Sequence, residues 1–381
     1  MVELIKPLQH NIRDLSLASR QIPIEVDGAG SYEVVLTLWN AFNPEGTANL
    51  DLGSSWAEEI KSATPEDLKE EIKAIGGPYC TIWLSVLGLI SSAPHPHDPT
   101  GVFNWMGQLN PQRLRRWILG YVGEQAAMKG GDDFPTSSMI EQAADGDAGA
   151  VAEIIGGCAE KERKHLDAVF ALEPEELRDR LANTLKRFRN EVYSQFEEEF
   201  SSAVARAAAA RRAVATREDP KSVIEQVTNG LDYEIPRGVT RVVLVPSVVL
   251  RPLSLIDQHR GVLMVFYAMA DEFISTNPEA PPSWLVRTYK ALSDEKRLRI
   301  LRRLSEGACS LDELTELLDI SKSTVHHHIS VLRGAGLIRV QISRNANGKE
   351  SHCYGLREQA LGDAGAFLDS YMRPHNQSAL A

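Results

Sequence analysis

The sequence predicts an α+β protein dominated by helices: a large helical N-terminal domain with one short strand segment, followed by a smaller C-terminal domain of short helices closed by a hairpin. Three observations predict it. The chain's 381 residues exceed what one hydrophobic core usually serves. A run rich in proline and small polar residues, 275–283, cannot continue a helix or a central strand. The two sides of that run differ in pattern, long amphipathic periodicity before it and closely spaced caps and turns after it. The expected domains are residues 1–274 and 284–372, joined by a linker at 275–283.

Composition narrows the classes. Hydrophobic residues at 43% and charged residues at 24% match an ordinary globular chain and exclude disordered and collagen-like classes. The longest apolar stretches, near 79–90 and 261–270, fall short of the roughly 20 residues that cross a bilayer, so no membrane partner is expected. Residues 1–7 lack the basic head and apolar core of a secretory signal. Cys80, Cys158, Cys309 and Cys353 are widely spaced without a CxxC pair, which suits free thiols in a reducing cytoplasm. The net charge of −11 conceals an asymmetry: from Pro281 onward 14 Lys/Arg stand against 11 Asp/Glu, a surplus of three, leaving −14 on the first 280 residues. A mildly basic segment on an acidic body suits a nucleic-acid reader.

Taken in order, Thr64-Pro65-Glu66-Asp67 opens a helix with Thr64 as cap, and Asn110-Pro111 repeats the device. Between Pro174 and Thr216 there is no further Gly or Pro, and Leu177, Leu181, Leu185, Phe188, Val192, Phe196, Phe200 and Val204 recur every three or four residues. One long amphipathic helix, or two nearly collinear ones, follows; its stripe is either intrachain core or partly a subunit contact. After Asn229-Gly230 the stretches 241–245, 248–250 and 261–267 are β-branched and apolar, hence strands, with Pro246 breaking the first run or marking a sheet edge.

Beyond the linker, residues 284–292 read as a helix, Ser293 caps a second helix over 294–304, and Gly307 ends it. Ser310-Leu311-Asp312-Glu313 is a capping box opening a short helix through Leu318. Leu318-Asp319-Ile320-Ser321 is a tight turn into a helix from Lys322 to about Gly334, so the pair is a helix-turn-helix whose second helix fits a DNA major groove. At 100° per residue Val325, Ile329 and Leu332 face the core, while Ser323, His326, His327 and Ser330 cluster opposite, with His328 on the flank. Lys322 and Arg333, near the helix ends, suit phosphates. Residues 336–342 and 351–356 read as strands about Asn347-Gly348, a wing with Arg344 and Lys349 at its tip. The expected DNA-contacting set is Lys322, Ser323, Thr324, His326, His327, Ser330, Arg333, Arg344 and Lys349.

Two strings, Ala291-Leu292-Ser293-Asp294-Glu295-Lys296-Arg297-Leu298-Arg299-Ile300-Leu301 and Ser321-Lys322-Ser323-Thr324-Val325-His326-His327-His328-Ile329-Ser330-Val331-Leu332-Arg333-Gly334-Ala335-Gly336-Leu337-Ile338, resemble the ArsR-type winged-helix repressors of bacteria, over about residues 284–360. The resemblance implies a homodimeric transcriptional regulator that binds an inverted repeat in double-stranded DNA, usually as a repressor released by an effector. Upstream, Arg241-Val242-Val243-Leu244-Val245-Pro246-Ser247 resembles the poorly characterised N-terminal domains that some actinobacterial regulators carry before such a winged helix. The family's metal sensors place paired cysteines before the recognition helix, or Asp and His on the last helix. Here only Cys309 occupies the first region, and Asp363, Asp369 and His375 lack ligand spacing, so no metal is expected there. Consecutive helical residues diverge by 100°, so His326-His327-His328 does not converge on one ion, and His95-Pro96-His97-Asp98 reads as a polar loop. No cofactor or nucleophile motif is present, so an enzyme is not expected. The body is expected to sense a small molecule between its helices and the strands at 241–267, with a dimerisation or partner-binding scaffold, or an unrecognised enzyme, as the alternatives.

Overall fold

The structure, a computed structural model, describes residues 22–43, 50–130, 134–215, 219–274, 281–344 and 350–373. Most of the expected linker (275–280), the hairpin tip 345–349 with Lys349, His375 and residues 1–7 lie outside the described residues.

A short strand, β1 (Ile24–Val26), precedes a helical body: α1 (Gly30–Phe42), α2 (Gly53–Ala63), α3 (Glu66–Gly76), α4 (Thr81–Ile90), α5 (Pro99–Gln108), α6 (Pro111–Gly130), α7 (Ser137–Ala144), α8 (Ala148–Ile154), α9 (Glu160–Phe170), α10 (Pro174–Phe188), α11 (Ser194–Ala215) and α12 (Pro220–Val227). Local chemistry sets several starts. Asp98, Thr136, Asp147 and Asp219 each cap a helix by accepting from a backbone amide, and Asn110 Oδ1 accepts from Arg113 N at 3.0 Å to start α6. Thr64 departs from its expected role: its hydroxyl donates back to Ile60 O at 2.7 Å, closing α2, and Pro65 holds the cap position of α3. α1 is buried on almost every side, and the body packs around it.

The stripe from Leu177 to Val204 is helical throughout, α10 passing through a π-helical turn (Arg189–Tyr193) into α11. Leu177, Leu181, Leu185, Phe188, Val192, Phe200 and Val204 are all buried within the chain and Phe196 packs beside them, so this stripe is intrachain core and not a subunit contact.

The body's sheet has the order β1-β3-β5-β4, with β3 (Arg241–Ser247), β4 (Leu255–His259) and β5 (Val262–Ala268); β3 is parallel to β1 and β5, and β4 is antiparallel to β5. Alternation sorts its faces. Val243, Val245, Met264 and Phe266 join the helical core, while Val242, Leu244, Leu263 and Val265 pack with Val223 and Ile224 of α12. Pro246 sits inside β3, but β1 pairs only with Val242 to Leu244, so the proline occupies a locally unpaired edge. Residues 248–250 form no strand, contrary to expectation. Their amides are taken by side chains instead, Val248 and Val249 donating to Glu33 Oε2 at 3.2 and 3.3 Å and Leu250 to Ser247 Oγ at 3.2 Å.

After the proline-rich run come α13 (Ser283–Leu292), α14 (Glu295–Glu306), the two-residue β6 (Cys309–Ser310), α15 (Leu311–Leu318), α16 (Lys322–Gly334), the hairpin of β7 (Ile338–Arg344) and β8 (Glu350–Leu356), and α17 (Glu358–Met372). Asp294, not Ser293, caps α14, accepting from Arg297 N at 3.0 Å. A second core of Ile300, Leu304, Leu314, Val325, Ile329, Leu332, Ile338 and Tyr354 unites these elements. Their sheet, β2-β7-β8-β6, takes its edge strand β2 (Leu231–Tyr233) from upstream of the proline-rich run, parallel to β7. Gly230 makes the turn into β2 at a φ of +100°, and a Cβ there would meet Arg357 Cδ at 2.7 Å. Gly230→Ala is therefore expected to destabilise the C-terminal sheet by about 1–2 kcal/mol, measured by urea unfolding.

Candidate nucleic-acid interface

The site is built from α15, a turn and α16. Ser310 and Glu313 form the expected capping box, Glu313 N donating to Ser310 Oγ at 3.3 Å and Ser310 N to Glu313 Oε2 at 2.7 Å. Donation from Ser310 N and Ser310 Oγ holds the Glu313 carboxyl below its ordinary range. Asp319 ends α15 in the left-handed region at φ 52°, a conformation short polar side chains tolerate, and this redirects the chain within one turn. Ser321 then caps α16, its Oγ accepting from Thr324 N at 3.2 Å and lying 2.7 Å from Thr324 Oγ1 and 2.9 Å from Ser323 Oγ.

The faces of α16 divide as the helical arithmetic requires. Val325, Ile329 and Leu332 are buried; Lys322, Ser323, His326 and His327 are exposed together; Thr324 and Ser330 are half-buried on the boundary. Lys322 Nζ rests 2.7 Å from Asp312 Oδ1, a pair open to water on both sides and readily exchanged for a phosphate. His328 turns inward: it is 7% exposed, its Nδ1 has no hydrogen-bond partner, and burial pushes its pKa down despite Asp294 Oδ1 at 3.8 Å.

Arg333 differs from the expected free cation. It is half-buried beside Tyr354, and burial lowers its pKa, because the end of α16 packs against the hairpin. Arg344 belongs to β7, but its side chain, like Lys349, lies outside the described residues. Sequence reasoning missed Arg339 and Gln341, exposed on β7, and did not foresee that Arg299 is occupied, Nη2 donating to Leu317 O at 3.1 Å. Alternation along β7 marks Arg339 and Gln341 as outward-facing once the strand is placed.

The histidine loop resolves differently from a ligand site. His97 Nδ1 lies 2.5 Å from Asp27 Oδ2 and Nε2 2.9 Å from Ala93 O, so both ring nitrogens are engaged, and Asp98 caps α5. Among the described residues no three His, Cys, Asp or Glu gather as a metal group, and no single helix is long and apolar enough to cross a membrane.

Comparison with known proteins matches this region. A family model described as a helix-turn-helix domain matches residues 292–341. The HTH-type transcriptional regulators CmtR of Mycobacterium tuberculosis and Mycobacterium bovis are 42% identical to this chain over 60 residues, 16% of this chain and 51% of theirs. The chain thus spans about half the length of the curated relatives it matches. Among solved structures, HlyU from Vibrio cholerae is 27% identical, covering 24% of this chain and 95% of its own, with a TM-score of 0.18. The C-terminal segment is a helix-turn-helix domain followed by a β-hairpin.

Proposed function

We propose that the protein is a cytoplasmic DNA-binding transcriptional regulator, a homodimer that represses by binding an inverted repeat in double-stranded DNA. The observation that carries this reading is the exposed polar face of α16, held on a buried apolar seam behind a tight turn. Residues 284–372 read DNA, with β2 completing their sheet, and residues 1–274 sense an effector. Ser323, Thr324, His326, His327 and Ser330 meet base edges, Lys322 and the hairpin cations Arg344 and Lys349 meet phosphates, and Arg333 serves mainly by packing.

Support for a dimer comes from α13 and α17. Val286 and Tyr289 on α13 and Phe367 and Met372 on α17 are exposed large apolar residues, 36%, 38%, 40% and 70% accessible, and Trp284 packs edge-on against Phe367 at 4.8 Å to join the two helices. Such a patch on a paired-helix face suits a twofold contact. The long α10–α11 stripe, buried within the chain, gives no support to a scaffold reading based on that helix.

The test is binding of the full chain to genomic DNA fragments over a salt series, with sedimentation in parallel. Expected are a dimer and a linear fall of log affinity with log salt, flattened by about one unit of slope in Lys322→Ala. Phe367→Glu is expected to yield monomers that bind at least tenfold more weakly. Salt-independent binding, or a wild-type monomer of full affinity, contradicts the reading.

A further inference from the structure

A cavity of about 530 Å³ opens where α11, the residues following β5 and the start of α13 meet, within the size range of small-molecule sites. Part of its wall is aromatic and apolar: Tyr267, Met269 and Phe273 come from the body, and Trp284 comes from α13. The wall also carries Arg211, Arg251 and Arg287.

Two of these guanidiniums, Arg251 and Arg287, are held by carboxylates. Arg251, 7% exposed, bonds to Asp271 and stands 3.5 Å from Asp51, while Arg287 Nη1 reaches Asp51 Oδ2 at 2.5 Å. Asp271 also accepts from Trp284 N at 3.0 Å, so one carboxylate ties the body to the start of α13. Two carboxylates therefore position two arginines, yet the Nε atoms of both are buried without a hydrogen-bond partner. A buried donor left unmet is unfavourable, so both guanidiniums keep unused donor capacity beside the cavity that their side chains line. Glu272, the remaining acid at the cavity, is exposed to water and screened.

We propose that this cavity binds a small organic anion with a flat apolar body, an aromatic carboxylate in chemistry, and that its occupancy shifts α13 and so changes DNA affinity. The carboxylate accepts from the arginines, and the rings of Tyr267, Phe273 and Trp284 enclose the flat part. Trp284 also touches Phe367, so displacement of its ring reaches the exposed α13–α17 face. The coupling half rests on the DNA-binding reading; the binding half does not. Because an effector acts only through its differential affinity for two states, ligand and DNA must alter each other's binding by the same factor.

The experiment titrates the full-length protein with 2-naphthoate, and with neutral 2-naphthylmethanol as control, following tryptophan emission. Naphthoate is expected to bind at least tenfold more tightly than the alcohol. Ala210→Trp, which adds bulk at an exposed wall position, and Arg287→Gln are each expected to weaken naphthoate at least tenfold, with near-UV circular dichroism reporting an intact fold. DNA binding measured with and without naphthoate is expected to change several-fold, reciprocally. Failure of naphthoate to bind, equal binding of the alcohol, or indifference to both substitutions overturns the site. Naphthoate binding with unaltered DNA affinity overturns the coupling, whereas a chain that binds no DNA at any salt defeats the regulator reading and leaves the site to be judged by naphthoate alone.

Discussion

His327→Glu is expected to lower affinity for a specific DNA site by about two orders of magnitude while leaving the unfolding free energy within about 0.5 kcal/mol of wild type. His327 is exposed on the outer face of α16 and absent from the core that holds the helix in place. A carboxylate there removes the proposed base contact, worth about 1–3 kcal/mol, and sets a negative charge against the phosphate backbone. Ser323→Glu at the same face should behave alike. His328→Glu should do the reverse, losing stability first, because that side chain is buried and a new charge would lack a partner. The comparison is made by fluorescence anisotropy on a bound fragment and on random DNA, with urea unfolding of each variant. Equal losses for His327→Glu and His328→Glu in both assays would remove α16 from the groove.

Much of this site was legible because its signals are local. The capping box at Ser310, the turn at Asp319 and the apolar spacing of Val325, Ile329 and Leu332 each depend on residues within a few positions, and each stands as read. What failed depends on distant partners. The apolar run 248–250 has the composition of a strand, but its amides bond to Glu33, more than two hundred residues away. β4 was missed because Asp257 and His259 interrupt its apolar pattern, and they are buried only because Tyr121 and Glu124 of α6 receive them. Arg333 looked like a phosphate ligand because spacing along the helix does not reveal the hairpin packed against its end.

Stability is expected to fall as pH rises from about 5 to 8. Burial drives the Glu33 carboxyl up to about 7, although Ser247 and the amides of Val248 and Val249 favour its ionised form. Burial likewise raises Asp257 to about 7, against the bond from Tyr121 and the amide of Gln258, with Glu124 adding repulsion. Both folded-state values lie above the unfolded ones, so each contribution is complete below the unfolded value and is lost as pH rises through 7. Shifts of this size correspond to about 3–4 kcal/mol per group. His97 acts in the same direction: burial alone would lower its pKa, but the bond and charge of Asp27 outweigh it and raise the value. Asp27 is lowered, burial being outweighed by His97, so its loss begins only at more acidic pH, outside this window. Urea unfolding at pH 5, 6, 7 and 8 measures the slope, and Glu33→Gln with Asp257→Asn should flatten it. A wild-type stability that is level or rises across the range would contradict these assignments.

The parallel pairing of β2 with β7 has a consequence for how this architecture is taken apart and reused. The proline-rich run looks like the natural seam, yet the C-terminal sheet draws one strand from the far side of it, and Arg357 Nη1 donates across to Asn229 O at 3.2 Å and to Gly336 O at 2.8 Å. A graft or truncation made at the seam leaves an open sheet edge on one fragment and an orphaned strand on the other, the arrangement that invites aggregation. The portable unit therefore begins before Asn229 and carries the intervening body strands with it, so exchanging the reader of this protein means exchanging part of its body as well.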